Sequence, residues 1–189
     1  MRRESYSIAE LVSALRRIRA ESVGEHRLIA AVRPLALRAA QASDLWLTDT
    51  MLVPDREQGF SLFPLSEEHD HSLAVFAISW LPDRGTPPHD HGTWAVVAGA
   101  IGSEWNTFWR RQDDGSRPGY AKLEQVGEKT FASGEVLAMP TGTIHQVWNR
   151  TDGVTVSLHI YGMHINHTGR SQFDVETSTA RPFISKIEP

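Results

Sequence analysis

The 189-residue sequence predicts a mainly β protein, a barrel or jelly roll with N-terminal α-helices packed on it. Apolar residues recur at the three-to-four spacing of a helix until about residue 50. After residue 59 the segments become short and rich in β-branched and aromatic residues, with turn residues between them. Because no repeat or linker divides the chain, we expect one domain over 1–189, with a helical extension at 1–50 and the barrel at 60–185.

Two helices are predicted in the N-terminal extension. The first covers residues 7–19 and opens on Ser-Ile-Ala-Glu, the spacing of a capping box. The second runs from about 25 to 42, where Pro34 should kink the helix or begin a new segment. A short third helical turn is predicted at 43–46.

The strands are separated by turn signals such as Pro-Asp-Arg-Gly and Thr-Asp-Gly. Eight or so short strands at these intervals are typical of a barrel or jelly roll. The predicted strands lie at 60–65, 72–81, 92–101, 103–110, 120–126, 136–139, 144–149, 154–162 and 171–176.

Composition excludes several classes of function. A net charge of -4 and a pI near 6.1 give no reason to expect nucleic acid or an anionic membrane as partner. No apolar run reaches membrane-span length, and no signal peptide is predicted after Met1–Ser5, so we expect a cytoplasmic protein. The chain has no cysteine, which leaves His, Asp, Glu and main-chain oxygen as metal ligands.

Two histidines, His89 and His91, follow a Gly/Pro turn. In a strand, residues i and i+2 point to the same side, so both imidazoles can face one metal ion. Asp90 between them should point away from it. The pair alone is more often two polar residues at the start of a strand, and a metal site needs a third ligand.

A second stretch, 134–149, offers that ligand in His145. A glycine opens a turn into a strand, a Pro-x-Gly turn follows, and His145 then starts the next strand. A lone histidine in this place is usually structural. Together the two stretches predict a metal face of three histidines.

The two stretches resemble the two motifs of the cupin family. Residues 134–149 match G-x5-P-x-G-x2-H-x3-N at every fixed position, and His89, His91 and Gly102 match the first motif. Ala95 occupies the position of that motif's glutamate. The resemblance implies a double-stranded β-helix with a metal on three histidines and no carboxylate, a ligand set that both iron and zinc accept.

Further stretches resemble the thiol dioxygenase group of cupins, the relatives of cysteine dioxygenase and 3-mercaptopropionate dioxygenase. Residues 86–94 are similar to their first metal strand, 157–161 to their Ser-x-His-x-Tyr triad, and 182–185 to a C-terminal stretch of the bacterial members. The resemblance implies an Fe²⁺ enzyme that adds both atoms of O₂ to a small carboxylated thiol and gives a sulfinic acid.

The triad residues Ser157, His159 and Tyr161 alternate, so their side chains share one face of a strand. Ser157 can then bond His159, which can bond the Tyr161 hydroxyl and aim it into the cavity. An ordinary polar strand face is the alternative without the resemblance. The absence of cysteine excludes the thioether cross-link that cysteine-type enzymes often form with this tyrosine.

The substrate carboxylate is assigned to Arg170, which matches an arginine of the bacterial mercapto-acid enzymes. Leu62 departs from both subtypes, which have Arg or Gln at that place. A cupin dioxygenase acting on a non-thiol substrate, or a non-catalytic metal-binding cupin, therefore stays open. We expect the small thiol and O₂ as partners and a monomer or small homo-oligomer.

Overall fold

The computed structural model describes residues 6–189 and confirms the predicted mainly β fold with N-terminal helices. Residues 1–5, where no signal peptide was predicted, lie outside the described part. The helices are α1 (Ile8–Glu21), α2 (Glu25–Gln41) and three 3₁₀ turns at Ser43–Leu45, Asp49–Leu52 and Ile165–His167. The strands are β1 (Phe60–Glu67), β2 (Ala74–Trp80), β3 (Arg84–Gly85), β4 (Ala95–Ile101), β5 (Ser103–Arg111), β6 (Leu123–Ala132), β7 (Val136–Met139), β8 (Ile144–Asn149), β9 (Thr155–Tyr161), β10 (Ser171–Asp174) and β11 (Thr179–Pro182).

The N-terminal helices form where the sequence predicts them. In α1 the capping box is complete, with the Ser7 side chain bonded to the backbone of Glu10 and the Glu10 side chain to the backbone of Ser7. Pro34 lies inside α2 and does not begin a new segment. Pro34 and Ala30 are both exposed, so the Ala30 carbonyl that loses its helical donor remains open to water.

The strands form two antiparallel sheets and a separate hairpin. The first sheet has the order β1-β2-β9-β4-β7, the second has the order β3-β8-β5-β6, and β10 pairs with β11. The hydrogen bonds of residues 6–189 do not join the two sheets into a closed barrel. The arrangement is consistent with the jelly roll.

The five-stranded sheet is buried on both faces. In β2, Val75 and Ala77 point outward to a core shared with α1 and α2. Phe76 and Ile78 point inward to a second core, which side chains of the opposite sheet such as Phe131 complete. The two-residue period of the strand thus separates a helix-facing layer from an interior layer.

The strand predictions fail at polar edge strands, where the sequence shows no apolar alternation. The predicted strand 120–126 is displaced to β6, which is an edge strand with mostly exposed side chains. Tyr120 and Ala121 pair instead with the hairpin around Thr179. The short β3 and the exposed β11 are missed because neither carries an apolar alternation.

Among residues 6–189, no helix is long and apolar enough to cross a membrane.

Candidate metal centre

The predicted ligands His89 and His145 are held opposite each other by the backbone. His89 N donates to His145 O at 2.8 Å, and His145 N donates to His89 O at 2.9 Å. Directly opposed residues of an antiparallel pair present their side chains on the same face. The bridge therefore brings one histidine from each sequence stretch to one side of the interior.

The third predicted ligand, His91, completes a cluster within the same interior. Ring centroids lie 5.1 Å apart for His89 and His91, 4.6 Å for His89 and His145, and 4.9 Å for His91 and His145. One ligand nitrogen from each histidine lies within 4.8 Å of the other two. All three side chains are buried.

Hydrogen bonds fix which ring nitrogen is available in two of the three histidines. His89 Nδ1 donates to the Pro87 carbonyl at 3.0 Å, and His145 Nδ1 donates to Asn106 Oδ1 at 2.9 Å. With the proton on Nδ1, the lone pair of Nε2 faces the interior. This is how outer partners orient metal-binding histidines.

Burial also keeps the three rings neutral. Desolvation, reinforced by the neighbouring His145, lowers the pKa of His89 and of His91 well below 6.5. Desolvation, with a smaller contribution from the charge of Arg170, lowers the pKa of His145 to about 3. Neutral imidazole is the form that binds a metal, so the site does not compete with protons near neutral pH.

The distance between the ligand nitrogens of His145 and His91 fits a shared metal ion. The Nε2 atoms of His145 and His91 are 3.2 Å apart. Two nitrogens at about 2.1 Å from one ion are separated by about 3.0 to 3.4 Å for angles from about 90° to 109°. The histidine set thus fits a divalent transition metal.

Ala95 leaves the cluster without a carboxylate ligand. It is fully buried at the start of β4, where it pairs with Met139 and Tyr161. The ligand group that the described residues form at this place consists of His89, His91 and His145. A metal held by three neutral ligands retains its full charge and its open positions.

The structure places Ser157, His159 and Tyr161 in one hydrogen-bonded row on β9. Ser157 Oγ lies 2.8 Å from His159 Nε2, and His159 Nδ1 lies 2.8 Å from the Tyr161 hydroxyl. All three are buried, with the row facing the interior. The Tyr161 ring lies 5.1 Å from the His91 ring, centroid to centroid, so the row ends beside the histidine cluster.

Arg170 enters the same cavity as a buried cation. It is 4% exposed, and it donates to the Phe183 carbonyl at 3.1 Å and to Ser185 Oγ at 2.6 Å. Burial lowers its pKa to about 10, which leaves the guanidinium charged at neutral pH. Both acceptors are neutral oxygens, and the carboxyl of Asp90 acts on Arg170 through a more distant charge interaction.

One cavity connects these groups. Its volume is about 20 Å³. The three histidines, His159, Tyr161 and Arg170 line one part of it, and an apolar wall includes Leu62 and Trp80. The C-terminal residues Phe183 and Ser185 close it on the side of Arg170.

A second histidine group lies away from this cavity, at an exposed rim. Ligand atoms of Glu67, His164 and His167 are within 4.8 Å of one another, and the His71 ring stacks on His167 at 3.7 Å. His164 Nδ1 accepts the Asn166 N–H at 3.2 Å, so the neutral ring carries its proton on Nε2. Glu67 Oε1 is hydrogen-bonded to His71 Nδ1, so the group fits a hydrogen-bonded histidine–carboxylate cluster.

Sequence reasoning missed two interior residues of β5, Asn106 and Glu104. Asn106 orients His145, and Glu104 is 3% exposed and faces the Ser157 side of the β9 row. One residue separates them on β5, so their side chains share a face of the strand. Their two-residue spacing, polar on a predicted barrel strand, is the signal that could have identified them.

No model of a known protein family matches the chain. Among solved structures, the chain is similar to oxalate oxidase in complex with the substrate analogue glycolate, with a TM-score of 0.46 and 13% identity over 62% of this chain and 59% of that chain. It is similar to a cupin superfamily protein from Desulfitobacterium hafniense, with a TM-score of 0.43 and 16% identity over 62% and 90% of the two chains. It is also similar to KdgF from Halomonas sp., with a TM-score of 0.42 and 12% identity over 58% and 84%. The structures that the chain resembles thus include cupin-superfamily proteins.

Proposed function

We propose that the protein is an iron(II)-dependent thiol dioxygenase that converts a small carboxylated thiol to its sulfinic acid. The observation that carries the proposal is the joint placement of a neutral three-histidine cluster, a tyrosine hydroxyl and a buried arginine around one cavity. The overall reaction joins one thiolate and one O₂ to give a sulfinate, with both oxygen atoms on sulfur.

Iron held by His89, His91 and His145 would supply the one-electron chemistry that lets O₂ react with a thiolate. The protein's own part is to orient these ligands. Pro87 O and Asn106 Oδ1 do so by accepting the Nδ1 protons of His89 and His145.

Arg170 is the natural partner for the substrate carboxylate. A guanidinium that is 4% exposed and bonded to neutral oxygens forms no ion pair within the described residues. Burying such a charge is costly, and an anionic substrate group would offset that cost. A carboxylate can accept two parallel N–H bonds from the planar guanidinium.

Tyr161 serves as a hydrogen-bond donor to the substrate or to oxygen. Burial raises the pKa of its hydroxyl above the ordinary value of 10, so the phenol keeps its proton at neutral pH. His159 fixes the position of the hydroxyl from the other side. The apolar wall around Leu62 excludes water from the reacting atoms.

The decisive experiment is metal analysis of the purified protein followed by O₂ uptake with cysteine, 3-mercaptopropionate, mercaptosuccinate and cysteamine. We expect about one iron per chain and one O₂ consumed per sulfinate formed, detected by mass. Tight iron binding without O₂ uptake on any thiol would reject the thiol substrate. That result would favour a dioxygenase acting on a non-thiol substrate or a metal-binding protein without catalysis.

A further inference from the structure

We propose that Glu104 is the fourth member of the Ser157–His159–Tyr161 row and that its protonation state sets the direction in which the Tyr161 hydroxyl donates. Glu104 is in this view a positioning residue, because it acts through the row and not on the substrate. The inference deepens the proposed function and rests on it for the catalytic consequence. The row itself can be tested without turnover.

The fold places Glu104 where the row ends. Glu104 lies on β5 in the opposite sheet, two residues before Asn106, with its side chain in the interior. The turn from β4 into β5 brings Glu104 beside β9, because Ser157 is the register partner of Gly99 and Gly102 packs against Thr155. The Ser157 hydroxyl lowers the pKa of the Glu104 carboxyl, although within the described residues Ser157 Oγ is hydrogen-bonded to His159 Nε2 and not to Glu104. One face of β5 therefore supports both parts of the site, since Asn106 orients His145 and Glu104 meets Ser157.

Among residues 6–189, no cation acts on Glu104 to hold it ionised. From β2 the Trp80 indole lowers the pKa of Glu104, although Trp80 Nε1 has no acceptor within hydrogen-bond distance in the described part of the chain. From β9 it meets Ser157, and more distantly the phenol of Tyr161. Its partner across β6 is the apolar Phe131.

Burial accordingly raises the pKa of Glu104 from 4.5 to about 7, against the lowering effect of Ser157 and Trp80. Both protonation states are then populated near neutral pH. A buried group that is neither firmly ionised nor firmly neutral is unusual for a purely structural carboxyl.

The ionised and protonated states of Glu104 favour opposite donor and acceptor roles in the hydrogen bonds of the row. An ionised carboxylate can only accept hydrogen bonds, so Ser157 donates to it. Ser157 Oγ then accepts a hydrogen bond from the protonated Nε2 of His159. His159 Nδ1 then carries no proton and accepts a hydrogen bond from the Tyr161 hydroxyl, so the O–H points away from the cavity.

A protonated Glu104 reverses each of these bonds. Its O–H donates to Ser157, Ser157 donates to His159 Nε2, and the proton of His159 lies on Nδ1. Nδ1 then donates to the Tyr161 oxygen, and the Tyr161 O–H is free to donate into the cavity. Reaction steps that need this donor should therefore weaken as pH rises through the titration of Glu104.

The first test needs no activity. Infrared difference spectra of the metal-free full chain should show a protonated buried carboxyl band that disappears with a midpoint near pH 7. Glu104→Gln should abolish that band, whereas the exposed Glu124→Gln on β6 should leave it unchanged. A wild-type protein without such a band, or a band that persists in Glu104→Gln, would overturn the inference.

The second test uses the pH profile of kcat on the best thiol. The kcat of the wild type should fall about tenfold per pH unit on the alkaline side of the Glu104 titration. The amide of Glu104→Gln donates to Ser157 at every pH, so this variant should keep activity and lose that alkaline limb. Glu104→Leu, which cannot donate, should lose activity at all pH values.

The outcomes separate the two proposals. A titrating Glu104 band with no thiol oxidation leaves the row intact and rejects the proposed reaction. Thiol oxidation with an unchanged alkaline limb in Glu104→Gln rejects the role of Glu104 alone.

Discussion

His89 and His145 are register partners that exchange both backbone hydrogen bonds, at 2.8 and 2.9 Å. Strand pairing thus fixes two of the three predicted ligands without the help of a metal ion. Earlier on the same segment, Gly85 pairs with Trp148 on β8, a close approach that needs glycine because a Cβ there would lie 2.0 Å from Val147 O. The backbone fold therefore sets the relative positions of these two histidines.

From this relationship we predict that metal removal leaves the fold intact. The far-ultraviolet circular dichroism of chelator-treated protein should match that of the loaded protein. Metal at a hundred times its dissociation constant should add about 2.7 kcal/mol to the free energy of unfolding, seen as a higher Tm. Loss of the β signal on chelation would show that the cluster assembles only around the metal.

His145→Ala should remove stoichiometric metal binding. The variant loses one of three ligands and leaves His91 Nε2 without the partner that lies 3.2 Å away. Metal content after dialysis against equimolar iron or zinc measures the effect. His69→Ala is the matched control, because His69 is exposed and lies outside both ligand groups. Full metal content in His145→Ala would refute the assignment.

Asn106→Ala should weaken metal binding by about tenfold to a hundredfold without removing a ligand. The substitution frees the Nδ1 proton of His145, so the ring no longer has a fixed tautomer or orientation. Competition with a chromophoric chelator gives the affinity. Thr107→Val is the control on the next residue, because the buried Thr107 hydroxyl has no partner within the described residues. Equal affinities in the two variants would show that His145 needs no such support.

The sequence predicts the histidine ligands better than the residues that hydrogen-bond to the site from the opposite sheet. His89, His91 and His145 stand in turn-flanked stretches whose spacing signals a metal, and alternation on β9 predicts the shared face of Ser157, His159 and Tyr161. Asn106 and Glu104 act across the interior from the opposite sheet. Their partners depend on how two sheets pack, which strand periodicity does not specify.

The same limit explains the errors in the fold. Alternation locates strands that face a core, and β7 and β8 lie where they are predicted. The edge strand β6 shows mostly polar residues to solvent, so its bounds depend on hydrogen bonding to β5 and carry little pattern.

The metal-free protein should lose stability as pH falls below 6.5. Burial lowers the pKa of five histidines, to about 3 for His145 and His159, while unfolded histidines titrate near 6.5. Between these values the unfolded state binds more protons, so stability rises with pH. Glu104 opposes this between 4.5 and about 7, because its folded pKa is raised and the native state holds its proton.

Five histidines outweigh the two carboxyls whose pKa burial raises, Glu104 and Asp90, so the Tm of the metal-free protein should fall steadily from pH 7 to 5. Glu104→Gln removes the opposing contribution, so its Tm should fall more steeply over the same range. Thermal melts in matched ionic strength test both statements. A Tm that is flat or rises towards pH 5 would mean that the histidines take up protons in the folded state.

Arg170→Gln should raise the KM for carboxylated thiols by about tenfold to 150-fold, the loss expected for hydrogen bonds to a charged group worth about 1.5–3 kcal/mol. Cysteamine, which has no carboxylate, should show little change. Ser185→Ala separates substrate binding from the packing of the C-terminal segment, because it removes an acceptor of Arg170 and keeps the guanidinium. We expect Ser185→Ala to affect carboxylated and uncarboxylated thiols alike. If Arg170→Gln leaves KM unchanged on the best carboxylated substrate, the guanidinium serves to hold Phe183 and Ser185 over the cavity, and the carboxylate must bind elsewhere.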